Sequence, residues 1–485
     1  MHNEEILKII TIPDAKIIIN EWVKGRYVMI GEQKIKTEVP FRRLKIESRP
    51  SEDSLIYYEL WLPDEWNGVF VGTGNGGMAG GINYLTMSRF IHQGYAVANT
   101  DMGTSRGITC GILKPEVWKN FGWRATHCMT IDSKQVMEAY YGVPAKYSYF
   151  LGESTGGQQA IMEAQRFPED YDGIFAGVPA HNRVSLHLYF LWAWQHLCPE
   201  DGRKLFCEAE VTAITECAIR FFRSRGDGEP GDRFVSYPYT DENTIEDFLR
   251  FLQDQHPEFS AEQISALRAV YQGPKTSDGE QIYCGLPIGS EDSNGGILDI
   301  QKKSGEEYPF MWALGDEYDG RAFDFDRDVP KVRARLSGEL DANQTDLSAF
   351  FTRGGKLLSC SGSNDPVVPF PDAMNYYEAV LEKMGGYEKV SPSYRWFLSP
   401  GKDHNHQGRG AQMLFGAKRE ELSILDVLRA WREEGRPPEK LLAVRFGERE
   451  WWMDVDFVRE IFPYGSEQNP RKKYPPSCAL VHTQK

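Results

Sequence analysis

The 485-residue sequence predicts an α/β protein: a mostly parallel central sheet covered by helices on both faces, interrupted by a large inserted domain. Three observations predict it. Short apolar, β-rich runs alternate with helical patterns through the first 180 residues; the chain turns helical and loop-rich from about His181 to Thr345; and strand signals return at Gly355. Strands alternating with helices are the pattern of a sheet buried on both faces. The expected organisation is therefore an N-terminal part of the core at 1–180, an insertion at 181–345, and the C-terminal part of the core at 346–485.

The expected strands, in order, are Gly68-Val69-Phe70-Val71, Tyr95-Ala96-Val97-Ala98, Tyr147 to Leu151 and Gly173-Ile174-Phe175-Ala176. The insertion reads as helices such as Ala261 to Tyr271, separated by Gly, Pro and acidic loops (GDGEPGD, SEDSNGG). After it come two more strands, Gly355 to Cys360 and Tyr394 to Leu398, and then a helix in ILDVLRAWREEG. The stretch from about Gly465 to Lys485 is polar and contains prolines, so it is expected at the periphery.

Composition removes several classes of function. With 55 basic and 70 acidic residues the formal charge is -15, which repels nucleic acid and anionic lipid. No apolar run is long enough to span a bilayer. The start, MHNEEILKIITIPDAK, carries acids where a secretory leader needs basic residues, so a cytoplasmic home is expected. The 8 cysteines show no CxxC spacing and suggest neither a zinc site nor a redox motif; reduced, mostly buried thiols are expected. Nothing in the sequence specifies an oligomer.

The stretch YFLGESTGGQ places Ser154 between a β-rich pentapeptide, YSYFL, and a helical pattern stopped by Pro168. A Gly-x-Ser-x-Gly motif is weak alone, but this strand-to-helix turn is the setting of a nucleophile elbow. Its flanking glycines admit a sharp turn, and serine Oγ is left at the N-terminus of a helix, where the dipole favours negative charge. A serine nucleophile needs a base and an orienting acid, in the chain order Ser, Asp, His. Asp365 in SGSNDPVVPF follows one returning strand, with Asp372 and Asp403 as weaker rivals. His404 and His406 in SPGKDHNHQGRG follow the other, and the residues alone leave the choice between them open. The glycine-rich turn GTGNGGMAGG after the first expected strand supplies a second oxyanion donor at Gly76 or Gly77, beside the amide of Thr155. It has neither the GKS/T of a phosphate loop nor a dinucleotide spacing.

These residues resemble the tannase and feruloyl esterase family of α/β-hydrolases, over nearly the whole chain. The resemblance is carried by LPDEWNGVFVGTGNGGMAGG, GYAVANTDMGTS, FGWRATHCMT, YYGVPAKYSYFLGESTGGQQAIMEAQRFPEDYDGIFAGVPAHN, NQTDLSAFFTRGGKLLSCSGSNDP and SPGKDHNHQGRG. It implies an α/β-hydrolase fold and a serine carboxylic-ester hydrolase with Ser154, Asp365 and His404 as triad; His406 falls at a family glycine. It implies aromatic, phenolic esters of the hydroxycinnamate or gallate type as substrates, and no required cofactor. The insertion becomes a lid, in which Trp192, Trp194, Phe310 and Trp312 either stack on a phenolic ring or pack the lid itself.

Departures from the family are equally specific. Secreted members hold a structural calcium ion in an acidic lid loop; its counterpart, RGDGEPGDRFV, keeps Asp227 and Asp232 but lacks the usual acid ahead of them, a reduced set for an ion that takes six or more oxygens. Many members join the residue before the serine to the residue after the histidine by a disulfide, where this chain has Glu153 and Asn405. A polar tie from Glu153 to Asn405 or its loop is the expected replacement. The acid that contacts galloyl hydroxyls in some bacterial tannases would fall at Val367, which argues against a gallate specialist of that type. Two rival functions remain: a different ester class or acyl transfer on the same triad, and a binding protein of this fold without turnover.

Overall fold

The computed structural model describes residues 4–447 and 454–470. Their contacts divide the chain into two compact units, Met1–His181 with Met311–Gly315 and Arg335–Leu358, and Asn182–Phe310 with Asp316–Ala334 and Ser359–Lys485. The chain leaves the first unit one residue beyond the expected start of the insertion, and returns to it twice. Most of the segment 181–345 shares the second unit with Ser359–Lys485.

The first unit holds strands β1 (Ala15–Val23), β2 (Tyr27–Ile30), β3 (Gln33–Lys36), β4 (Phe41–Ser48), β5 (Ile56–Pro63), β6 (Val69–Thr73), β7 (Ala96–Thr100), β8 (Tyr147–Glu153) and β9 (Gly173–Gly177). Strand β10 (Lys356–Gly362) begins in it and ends in the second unit. The order across the first unit's sheet is β1-β4-β5-β7-β6-β8-β9-β10. The pairs β7–β6, β6–β8 and β8–β9 are parallel, with Val71 opposite both Val97 and Tyr149, and Leu151 opposite Phe175. All residues of β6, β7 and β9 are buried, as expected of strands covered on both faces. Strands β1, β4 and β5 extend the sheet in antiparallel fashion, and β5 meets β7 antiparallel. The partly exposed, charge-bearing edge strand β1 blunts the sheet's open side. Strands β2 and β3 form a separate hairpin.

Charge is also buried in this sheet. Glu59 on β5, with no exposed surface, receives a two-pronged hydrogen bond from Arg43 on β4 (2.8 and 2.6 Å), and further donors in Trp61 Nε1 (2.9 Å) and Tyr84 OH (3.0 Å). Removing one partner of such a pair strands the other charge in a low-dielectric interior. Glu59→Ala is expected to lower the unfolding free energy by about 3–5 kcal/mol, read as a fall in the denaturation midpoint.

In the second unit β10 neighbours β11 (Tyr394–Ser399). A three-stranded antiparallel sheet follows, formed by β12 (Met413–Gly416), β13 (Leu441–Phe446) and β14 (Val455–Ile461). The second unit also holds helices Arg183–Leu197, Glu208–Ser224, Glu242–Gln255 and Ala261–Gln272. The last has a capping box, in which Ser260 Oγ accepts from Gln263 N and Gln263 Oε1 accepts from Ser260 N. Helix Arg183–Leu197 is buried on nearly every side, and its neighbours turn only one stripe inward.

No disulfide occurs among the described residues. Cys217, Cys284 and Cys360 are buried, Cys207 is exposed, and Cys110, Cys128 and Cys198 are half-buried, fewer buried thiols than expected; Cys478 lies outside the described residues. No described helix is long and apolar enough to cross a membrane.

Candidate active site

In the first unit, β8 runs into Ser154, and helix Thr155–Arg166 starts at the next residue. Ser154 is held at φ 59°, ψ −118°, in the left-handed region. A non-glycine residue there carries strain of roughly 1–3 kcal/mol that the surroundings must offset. The surroundings are close-packed backbone: a Cβ on Gly152 would lie 2.2 Å from Gly156 O, and one on Gly74 would lie 2.5 Å from Gly156 Cα. Glycine at these positions lets the turn after β6 approach the elbow to backbone contact.

That approach is fastened by hydrogen bonds. Gly156 N donates to Asn75 O (2.7 Å), Asn75 N donates to Gln159 Oε1 (2.9 Å), and Thr155 Oγ1 donates to Gly77 O (2.6 Å). The buried Asn75 side chain donates to Thr100 O (2.7 Å), and Asn99 Nδ2 donates to Thr73 O (2.7 Å). The sequence reading missed this Asn75, Asn99 and Gln159 scaffold; its visible trace was an asparagine between the glycines of GTGNGG. Gly76 and Gly77 are exposed, and their amides donate no hydrogen bond to another described residue. Ser154, Thr155, Gly76 and Gly77 thus share one corner of the first unit.

The second unit brings the other two candidates together. Asp365 follows β10 and His404 follows β11, and His404 Nδ1 lies 2.8 Å from Asp365 Oδ2. The Asp365 side chain is fully buried and that of His404 is 11% exposed. Asp365 Oδ1 accepts from the amides of Val367 and Val368, both at 2.9 Å, so the carboxylate is fixed by three partners. The two loops are stitched by Ser363 N to Ser399 O (3.0 Å), Asn364 N to Lys402 O (3.1 Å) and Gly401 N to Ser363 Oγ (2.7 Å).

The rivals have other partners. His406 Nδ1 lies 2.7 Å from Gln412 O. Asp372, in the first turn of helix Phe370–Met384, accepts from Asn182 Nδ2 (3.1 Å) and Tyr283 OH (3.2 Å). Asp403 Oδ1 accepts from Gln407 N (3.0 Å).

The four aromatics singled out in the segment 181–345 are engaged in packing. Trp192 Nε1 donates to Ala269 O (2.9 Å), Trp194 Nε1 donates to Lys303 O (3.1 Å) beneath the Arg321 guanidinium, and Phe310 stacks on Phe323. Trp312, which belongs to the first unit, is fully buried and donates to Ile108 O (2.7 Å). Asn405 Nδ2 donates to Asn294 Oδ1 (2.6 Å). The Glu153 side chain is exposed and folds over Gly177, whose Cβ would lie 2.7 Å from Glu153 Cγ.

Asp227 and Asp232 do not fit a calcium site. Both oxygens of Asp227 accept backbone N–H groups, from Ser236 (2.7 Å) and Tyr237 (2.9 Å). Asp232 accepts the Glu229 amide (2.8 Å) and a two-pronged bond from Arg459 on β14, which includes Nη1 to Oδ2 at 2.9 Å. Burial raises the Asp232 carboxyl, yet the Arg459 guanidinium and the amide outweigh it and hold the group below the usual carboxylate range. Donors and a guanidinium stand where an ion would need oxygens. A ligand present at about 100 times its Kd stabilises the folded state by about 2.7 kcal/mol. Millimolar calcium is therefore expected to leave Tm unchanged in thermal unfolding.

The sequence matches the profile described as Tannase and feruloyl esterase over residues 43–307 and 311–472. The chain belongs to this family. A relative named "Probable feruloyl esterase", from Arthroderma benhamiae, is 30% identical over 423 residues, covering 80% of this chain and 75% of its own. Among solved structures, feruloyl esterase B from Aspergillus oryzae superposes with a TM-score of 0.82 at 23% identity, covering 95% of both chains. Tannin acyl hydrolase from Aspergillus niger does so with a TM-score of 0.72 at 19% identity, covering 96% of this chain and 92% of its own. At these identities the two structures carry the fold alone, and the fold is that of the α/β-hydrolases.

Proposed function

We propose that the protein is a serine carboxylic-ester hydrolase for aromatic, phenolic esters, working through Ser154, His404 and Asp365. Its family membership and the feruloyl esterase name of its 30%-identical relative support the ester class. The single observation that carries the chemistry is the His404–Asp365 pair at 2.8 Å, with the acid buried and triply anchored.

In this reading His404 removes the Ser154 proton as Oγ attacks the ester carbonyl, and Asp365 holds the imidazole in the productive tautomer and stabilises its charged form. The amides of Thr155 and of Gly76 or Gly77 receive the developing oxyanion, each worth about 10²–10³ in rate. His404 passes the proton to the leaving alcohol, and water then releases the acid by the same route in reverse. No cofactor enters these steps. The segment 181–345 is assigned as the lid that shapes the pocket.

The test is an ester panel of methyl ferulate, methyl gallate, chlorogenate and p-nitrophenyl acetate, with and without added acceptor alcohols. The aromatic esters are expected to lead in kcat/KM by at least about tenfold, the discrimination a fitted pocket supplies. Failure to hydrolyse any aromatic ester, or acyl transfer to the added alcohols exceeding acid release, would overturn the assignment.

A further inference from the structure

Nine residues beyond Ser154, on the helix that starts at the elbow, Glu163 is buried with neither carboxyl oxygen meeting a donor among the described residues. Its oxygens face two potential ligands. His127, on helix Ala125–Tyr141, places Nδ1 2.7 Å from Oδ2 of Asp170, in the loop before β9. One ligand atom from each of His127, Glu163 and Asp170 lies within 4.8 Å of the other two. The His127 ring stacks on Phe167, with centroids 3.7 Å apart, and its side chain is 25% exposed, which leaves a route from solvent.

We propose that His127, Glu163 and Asp170 bind one divalent transition-metal ion, zinc by preference. One imidazole and two carboxylates form a donor set suited to tetrahedral zinc, with water in the fourth position. An ion at about 2.0–2.2 Å from each donor separates the donors by roughly 3.4 Å, so the His127–Asp170 contact needs to open by less than about 1 Å.

The neighbouring charges are compatible with a dication. Lys134 donates to the Asp170 carbonyl, leaving the carboxylate available, while Asp172 stands near Arg353 (3.8 Å) and Asp132 accepts from Tyr58 OH. Metal and protons compete for imidazole and carboxylate ligands of this kind, so affinity rises with pH. At 1.5 Å per residue Glu163 lies about 13 Å along the helix from the elbow. The ion would therefore tie the elbow helix to helix Ala125–Tyr141 and to the loop before β9, and take no part in ester chemistry.

The full chain, stripped by chelator and dialysed, is titrated with zinc chloride by calorimetry, with Tm followed in parallel. One ion per chain at micromolar Kd or tighter is expected, with a rise in Tm and tighter binding at pH 8 than at pH 6. Glu163→Gln and, separately, His127→Gln are expected to weaken binding at least tenfold, with ester hydrolysis and circular dichroism reporting that each variant is folded. Cobalt(II) bound to the wild-type protein is expected to give the visible absorption of a tetrahedral site, which needs no variant. Wild-type binding no tighter than millimolar, or micromolar binding unchanged in both variants, overturns the proposal.

Discussion

Ser154→Ala is expected to lower kcat for aromatic esters by about 10⁵–10⁶-fold, some 7–8 kcal/mol of transition-state stabilisation. No other side chain among the candidates can form the acyl-enzyme, and the residual rate comes from the oxyanion donors and binding alone. KM should change far less than kcat. The backbone adds a second expectation at this position. Ser154 sits at φ 59°, which alanine tolerates no better than serine, so Ser154→Ala should retain the wild-type Tm. Glycine accepts that conformation freely. Ser154→Gly is therefore expected to be equally inactive yet more stable, by about 1 kcal/mol once glycine's greater unfolded-state entropy offsets part of the relieved strain. A variant that loses activity while gaining stability separates the chemistry from the fold. A Ser154→Ala protein with unchanged kcat would remove the serine from the mechanism.

Asp365→Asn is expected to reduce kcat by about 10⁴-fold with little effect on KM. The environment dictates how the amide must sit. Two backbone amides, Val367 N and Val368 N, point at Oδ1, so the amide oxygen of an asparagine takes that side and its NH₂ faces His404 Nδ1. An NH₂ group cannot accept the Nδ1 proton. The imidazole is forced to carry its proton on Nε2, the nitrogen that must be free to take one from the serine. The controls are Asp372→Asn, His406→Ala and Asp403→Asn, whose partners lie outside the His404–Asp365 pair. Each is expected to change kcat by less than about tenfold. A larger loss in one of them than in Asp365→Asn would reassign the acid or the base.

How much of this was legible in the sequence follows from what each element buries. Strands β6, β7 and β9 are continuous apolar runs because both faces are covered, and they could be read directly. So could β8 with its elbow, and β10 and β11 with the acid and base loops that follow them. Strand β4, FRRLKIES, could not: it buries Arg42 and Arg43, and the carboxylate that pairs with Arg43, Glu59, lies on another strand. The sheet of β12 to β14 was missed as well: β12 has four residues, β14 buries only its last, and the short apolar run LLAV of β13 follows a helix without a second strand signal beside it.

In the candidate site, Ser154, Asp365 and His404 could be picked out because each lies at or just beyond the end of a strand whose apolar run is readable. The partner that excludes calcium was not. Arg459 stands 227 residues from Asp232, and only folding brings the guanidinium to the carboxylate. His127, Glu163 and Asp170 were invisible for a similar reason, since two helices and a loop supply one ligand each.

The central claim is that Ser154 is the nucleophile of an ester hydrolase, and covalent trapping addresses it most directly. The folded protein is incubated with a fluorophosphonate, and the adduct is counted and mapped by mass spectrometry. The account predicts one adduct per chain on the peptide that contains Ser154, loss of ester hydrolysis in step with labelling, and no adduct in Ser154→Ala. An adduct on a different serine, or full ester hydrolysis by protein whose Ser154 is quantitatively modified, would contradict it.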